Sequence, residues 1–354
     1  MKKTLALLLA AAMLTAVLSA CGGTGSASKG VVNVYNWGEY ISDGTDGTLD
    51  ICEEFERQTG IKVNYQVFDS NESMYAMLAS GGASYDVIIP SDYMISRMIE
   101  EDMLEQLNFD NIPNYSDIDP ALKNPEYDPD GLYSVPYMWG TVGIIYNTSM
   151  IAEPVEGWGS LFDPAYAGQI LMFDNSRDAI GIALKALGYS YNTTDPAQIQ
   201  QAVDLLIEQK PILQGYVMDQ IFDKLEGGEA AIGPYYAGDF VTMHANNPDL
   251  AFCLPKEGSN LFVDAMCIPK GAENKDNAEA FINFMCTTDA GLANCEAIGY
   301  STPLLSVRDA LPAEISGDSV AYPSDAVLAT CETFKNLPQN ILELYDSEWL
   351  RLKT

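Results

Sequence analysis

Residues 59–94 read TGIKVNYQVFDSNESMYAMLASGGASYDVIIPSDYM, and three elements follow from them. Apolar and polar residues alternate over 61–68, the period of a half-buried strand. Asn71 is placed to cap a helix that runs through Met74, Met77 and Leu78. Residues 87–89 are a short, wholly apolar strand closed by Pro90, and a further helix is predicted over about 93–101. Upstream, 31–35 reads as a strand. Residues 49–59 read as a helix with Ile51, Cys52 and Phe55 on one side and Gly60 at its stop. Strand and helix thus alternate three times, the pattern of an α/β fold built on a largely parallel sheet covered by helices.

Further along, a Pro-, Asn- and Asp-rich stretch at 108–130 precedes an unusually apolar run at 133–146, which contains Gly140 and Gly143. A strand of that length can pass from one lobe to another. The 354 residues also exceed the usual size of a single hydrophobic core, so two lobes are expected. The second half resembles the first: a helix near 158–162, a strand at 169–173, a helix at 177–187, and a helix opened by Asp195-Pro196. Strands follow near 215–218 and 230–235. Residues 252–254 and 260–268 are expected to form a return pair, and the tail is helical at 277–285, 289–297 and 340–352. No repeat at a fixed period is visible.

The chain begins with Lys2 and Lys3, an apolar run at 5–18, and Leu18-Ser19-Ala20-Cys21. A basic start, a short apolar segment and small residues before a cut describe an export signal, and the run is too short for a membrane span. A cysteine directly after the small residues resembles a bacterial lipobox. That resemblance implies removal of 1–20, lipid on Cys21, and a protein tethered to the membrane outside the cytoplasm. Residues 22–30, rich in Gly and Ser, read as a flexible leash.

With 18 basic and 50 acidic residues the net charge is −32. Nucleic acid is disfavoured as a partner, because phosphate binding needs clustered Lys and Arg, whereas a cationic ligand would be drawn in. Beyond Cys21 there are six cysteines with no CxxC spacing, so zinc and small disulfide scaffolds are not expected, and the pairing is open. The single histidine, His244, lies in a helical stretch, which leaves multi-histidine metal sites impossible and most hydrolytic chemistry without support. No metal and no cofactor is expected.

Ligands of open α/β sheets bind beyond the carboxyl ends of the strands. Those ends carry Asn36, Trp37, Gly38, Glu39 and Tyr40, then Ser91, Asp92 and Tyr93. In the second half they carry Asp174, Asn175, Arg177 and Asp178, then Asp219, and then Tyr235 and Tyr236. Phe262 and Asp264 lie on the return strand and Tyr300 on a turn after a helix. Rings and carboxylates dominate, which suits an organic cation: ring faces attract ammonium groups and cover methylenes, and carboxylates make charge-assisted bonds to nitrogen. Packing at strand–helix junctions also accounts for Trp37 and Tyr40, core packing for the two tyrosines, and a helix N-terminus for Asp178. Asp264 interrupts an apolar strand, where an unpaired carboxylate is costly.

At these residues the sequence resembles the spermidine/putrescine-binding proteins of bacterial polyamine ABC transporters. The matching stretches are 35–40 (YNWGEY), 59–94, 133–147 (YSVPYMWGTVGIIYN), 187–199 (LGYSYNTTDPAQI), 255–269 and 298–303 (IGYSTP). The resemblance implies a two-lobed flytrap of the type II periplasmic-binding kind, each lobe a mixed, mainly parallel sheet flanked by helices. Lobe 1 is expected from 31–137 with about 265–303, and lobe 2 from 138–264 with about 304–354, hinged near 137–141. A monomer is implied, which closes on a polyamine and delivers it to a membrane permease; it is not an enzyme. By position, Trp37, Tyr40 and Tyr300 match aromatics lining the methylene chain, Ser91 and Tyr93 polar groups of the cleft, and Asp264 an ammonium-holding carboxylate. Asp178 stands where glutamate is usual, Asn175 where some spermidine binders have aspartate, and Tyr236 and Phe262 where tryptophans are frequent. Gly38 replaces a frequent threonine. With Glu39 these complete the expected ligand-binding set, and one fewer carboxylate leaves putrescine and spermidine both open. The competing readings are another cationic solute or ferric ion on the same fold, and a secreted glycosidase using a carboxylate pair.

Overall fold

The opening alternation forms as β1 (Val31–Trp37), α1 (Ile51–Thr59), β2 (Lys62–Phe68), α2 (Asn71–Ala79), β3 (Val87–Ile88) and α3 (Asp92–Glu100). β2 and β3 flank β1, both parallel to it. The computed structural model describes residues 30–354 except 82 and 83; the expected leader at 1–20, the lipidation site Cys21 and the leash up to residue 29 lie outside the described residues. α1 starts where the Asp50 carboxylate accepts from the Glu53 N–H at 2.8 Å and stops at Gly60, whose φ of 75° suits glycine.

Two local readings are corrected. The cap of α2 is Ser70, not Asn71: Ser70 and Ser73 bond reciprocally in a capping box. Asn71 is freed for a longer-range task. Its Nδ2 donates to Ser91 Oγ at 3.0 Å and its Oδ1 accepts from Ser91 N at 3.1 Å, which ties the start of α2 to the start of α3.

The chain continues through β4 (Ser134–Asn147), β5 (Ile170–Phe173), α4 (Ser176–Ala186), α5 (Pro196–Gln209), β6 (Leu213–Val217), α6 (Ile221–Glu226), β7 (Ile232–Tyr236), α7 (Ala237–Asn246), β8 (Leu250–Cys253) and β9 (Leu261–Cys267). It ends in α8 (Lys275–Met285), α9 (Thr288–Ile298), three short helices α10 (Leu305–Ala310), α11 (Ala313–Ser316) and α12 (Asp325–Leu328), and α13 (Gln339–Lys353). Residues 158–162 form a 3₁₀ turn around the fully buried Trp158.

β4, 14 residues long, organises the molecule. Residues 134–141 pair antiparallel with β9, while 142–146 pair antiparallel with β7. The strand order is β2-β1-β3-β9-β4-β7-β5-β6, with β8 also on β4. Parallel pairs occupy both flanks and antiparallel pairs surround β4. The expected return pair is the second correction. β8 and β9 do not pair with each other. Each lies along a different half of β4, because that strand is long enough to serve both.

Apolar packing follows this plan. One core joins Val34 and Phe55 through Ile144 to Phe173 and Leu206; a second, around Met74, Ile88, Met94 and Met98, packs α2 and α3 on β3. Cys52, Cys253, Cys267, Cys286, Cys295 and Cys331 are free thiols. His244 bonds the Leu250 carbonyl through Nδ1 at 2.8 Å, joining α7 to β8. No helix among the described residues is long and apolar enough to cross a membrane.

Candidate functional site

A cleft of about 790 Å³, partly open to solvent, is lined from both ends of the sheet. β1 delivers Trp37, and the turn beyond it delivers Glu39 and Tyr40. That turn uses Glu39 at φ 48°, a left-handed conformation uncommon outside glycine, and leads into the buried Tyr40. The first turn of α3 carries Tyr93, with Ser91 just before the helix, and β9 carries Phe262 and Asp264. From the other half, Asn175 caps α4 and Asp178 lies in its first turn, while Tyr236 ends β7. Tyr300 follows α9, and its ring lies over Gly238, where a Cβ would approach to 2.2 Å. All eleven ligand-binding residues expected from the sequence line this one cleft.

Rings form a continuous wall. Tyr40 meets Tyr300 edge-on at 4.7 Å between centroids; Phe262 meets Tyr236 at 5.4 Å and Tyr300 at 6.2 Å. The Trp37 indole is fixed by its N–H donating to the Ile89 carbonyl at 2.9 Å. Among the described residues, nine aromatic and eight acidic ones line the cleft, and no Lys or Arg does. The nearby Arg177 is buried behind the lining, its guanidinium over the Phe334 ring at 4.7 Å and bonded to the Lys335 carbonyl.

The carboxylates are aimed by tyrosines. Tyr40 donates to Asp264 Oδ2 at 2.8 Å, Tyr236 to Asp178 Oδ2 at 3.3 Å and Tyr235 to Asp219 Oδ1 at 3.0 Å. Tyr300 donates to Asp239 Oδ2 and Tyr93 to Glu72 Oε1, each at 2.8 Å. Each bond satisfies one side of a carboxylate and leaves acceptor capacity for a ligand. Asp264 Oδ1 is buried with no hydrogen-bond partner among the described residues, as is Asp92 Oδ2. Burial pushes the Asp264 pKa up to about 6, Ser91 and the Tyr40 hydroxyl offsetting part of the rise and Asp178 adding to it. Burial likewise takes Asp178 to about 6, with Glu72 adding to the effect, and holds Asp239 and Asp92 well above the usual carboxylate range.

Several lining residues escaped the sequence reading. Glu72 and Asp239 lie in the first turns of the helices after β2 and β7, so looking one helical turn past each strand end finds them. Phe334 and Asn260 sit on connecting segments, where nothing in the local sequence marks them.

An array of fixed anions among flat rings is complementary to an elongated cation with apolar spacers. It does not suit ferric ion: Tyr235 and Tyr236 donate to separate carboxylates, and burial raises both phenols well above 10. Nor are Asp178 and Asp264 split into acid and base, since one cause, burial, lifts both to about the same value.

The family model for bacterial extracellular solute-binding proteins matches residues 50–324. The spermidine/putrescine-binding periplasmic protein of Escherichia coli K12 is 35% identical over 339 residues, 95% of this chain and 93% of that protein. The putrescine-binding periplasmic protein SpuD of Pseudomonas aeruginosa is 29% identical over 360 residues, 96% of each. Among solved structures, the PotD substrate-binding protein of a Streptococcus pneumoniae spermidine/putrescine ABC transporter superposes with a TM-score of 0.75 at 37% identity, covering 91% of this chain and 98% of that one. The TpPotD lipoprotein of Treponema pallidum gives 0.79 at 28%, covering 91% and 99%.

Proposed function

The chain belongs to the bacterial extracellular solute-binding proteins, two-lobed binders rather than enzymes, and from that premise we propose that it captures a linear polyamine, putrescine or spermidine, and delivers it to an ABC permease. The observation that carries the reading is the lining: among the described residues, eight carboxylates and nine rings with no basic side chain. Asp264 and Asp178 take an ammonium, Trp37, Tyr40, Tyr236, Phe262 and Tyr300 flank methylenes, and Glu39, Ser91, Tyr93 and Asn175 complete the polar contacts. The names of the relatives in E. coli and P. aeruginosa point to the same ligands.

In this reading 31–137 with about 265–303 closes against 138–264 with about 304–354, hinging where β4 changes partners. Closure removes the cation from water and strengthens its pairing with the carboxylates. The mature protein starts at Cys21, carries lipid there, and works outside the cytoplasm as a tethered monomer. The lipobox-like sequence before Cys21 and the solved T. pallidum lipoprotein support this.

Calorimetric titration with putrescine, spermidine and spermine tests the ligand. Saturable binding of at least one of them is expected, with dissociation constants at or below the micromolar range. An absence of heat with all three rejects the reading.

A further inference from the structure

Gly38 and Asp219 meet at the mouth of the cleft, Gly38 just beyond β1 and Asp219 just beyond β6. The backbone does not call for glycine at 38, since its φ is not positive. What glycine provides is space: a Cβ there would lie 2.5 Å from Asp219 Oδ2, nearer than side-chain carbons approach. Asp219 Oδ1 is held by the Tyr235 hydroxyl, so the carboxylate is aimed, while Oδ2 has no hydrogen bond among the described residues.

The far end of the cleft is differently equipped. Asn175 uses its Oδ1 to cap Asp178 N, and its Nδ2 reaches only the Met218 sulfur at 3.8 Å, so it brings no charge. Arg177 stands buried behind Asp178 and partly neutralises it. Asp219 and Glu39 are exposed and Asp239 is buried; all three line the cleft, with no base beside them among the described lining residues.

We propose that Asp219, admitted to the cleft because position 38 has no side chain, is a specificity-determining residue that holds the second ammonium of a diamine. This rests on the polyamine reading. Partial desolvation raises the Asp219 pKa and Asp69 adds to the rise, while the residue stays open to solvent, so that an incoming ammonium can reach it. A ligand with positive charge at one end only leaves Asp219 unused.

Wild-type protein, Asp219→Asn and Gly38→Thr are titrated calorimetrically with putrescine and with 1-aminobutane, which has the same four carbons and one ammonium. Wild type is expected to prefer putrescine strongly. Asp219→Asn weakens putrescine about tenfold and leaves 1-aminobutane within about twofold, so the preference shrinks. Gly38→Thr does the same, and the double variant is no weaker than the poorer single, because both remove one interaction. Gly38→Ala replaces Gly38→Thr if the latter does not fold. A putrescine preference in Asp219→Asn equal to wild type overturns this proposal alone. A wild type that binds spermidine but neither of these compounds also overturns this proposal alone, whereas one silent with putrescine, spermidine and spermine overturns the polyamine reading with it.

Discussion

Asp264 carries the highest stakes of any side chain in the cleft. It interrupts the apolar β9, is 5% exposed, and has one oxygen bonded to Tyr40 and the other unpaired. Its pKa and that of Asp178, both raised to about 6, fix the sign of a pH effect. A carboxylate whose folded pKa exceeds its unfolded value favours the folded state while neutral. That contribution is present below the ordinary carboxylate range and is lost as pH rises through about 6. The empty protein is therefore burdened by these two charges at neutral pH. A bound ammonium reverses the preference, so binding releases protons near pH 6, and affinity falls as pH drops from 7 to 5 while the amines stay charged. Titration in buffers of different ionisation enthalpy measures the release. Asp264→Asn is expected to cost roughly 2–5 kcal/mol of affinity and to remove part of the pH dependence. A loss under tenfold, or a pH-independent wild type, contradicts the assignment.

Helix starts do much of the positioning. Ser70, Ser91 and Asn175 each precede a helix whose first turn presents a cleft residue: Glu72, Tyr93 and Asp178. Asn175 serves as the cap of α4, so Asn175→Ala is expected to lower stability by about 1 kcal/mol, measured by urea unfolding. Asn175→Asp, also a good cap, is expected to retain it. An Asn175→Ala protein as stable as wild type would mean that the cap bond contributes little. The regular elements were legible because period-two and 3.6-residue patterns are strong in a chain whose strands are buried on one or both faces. Strand ends, the return strand, one turn and the family resemblance then named eleven of the residues that line the cleft without any contact information. Partner choice was not legible. Nothing local tells that β8 and β9 each lie on β4 and not on each other, and the capping role slid by one residue because Ser70 and Asn71 are both good caps. α6 went unread because its six residues carry too little periodicity. Phe334 reaches the cleft from a connection far along the chain, a tertiary fact with no local sign.

Charge acts over the molecule as a whole. A net −32 draws cations toward the cleft before any contact forms, and the same field repels anions. Like charges gathered from both ends of the sheet also oppose closure of the empty cleft. A cation that bridges them removes the opposition, so ligand and closure are thermodynamically one event. In the proposed closure β4 would be the hinge: its first half belongs to one set of partners and its second half to another, with the change at 141/142. The most direct test is a crystal structure of the protein saturated with putrescine. One nitrogen is predicted within about 3 Å of carboxylate oxygens of Asp264 or Asp178, with methylenes between Trp37 and the Tyr236–Phe262 rings. A structure with putrescine absent from this cleft, or seated away from both aspartates, contradicts the account.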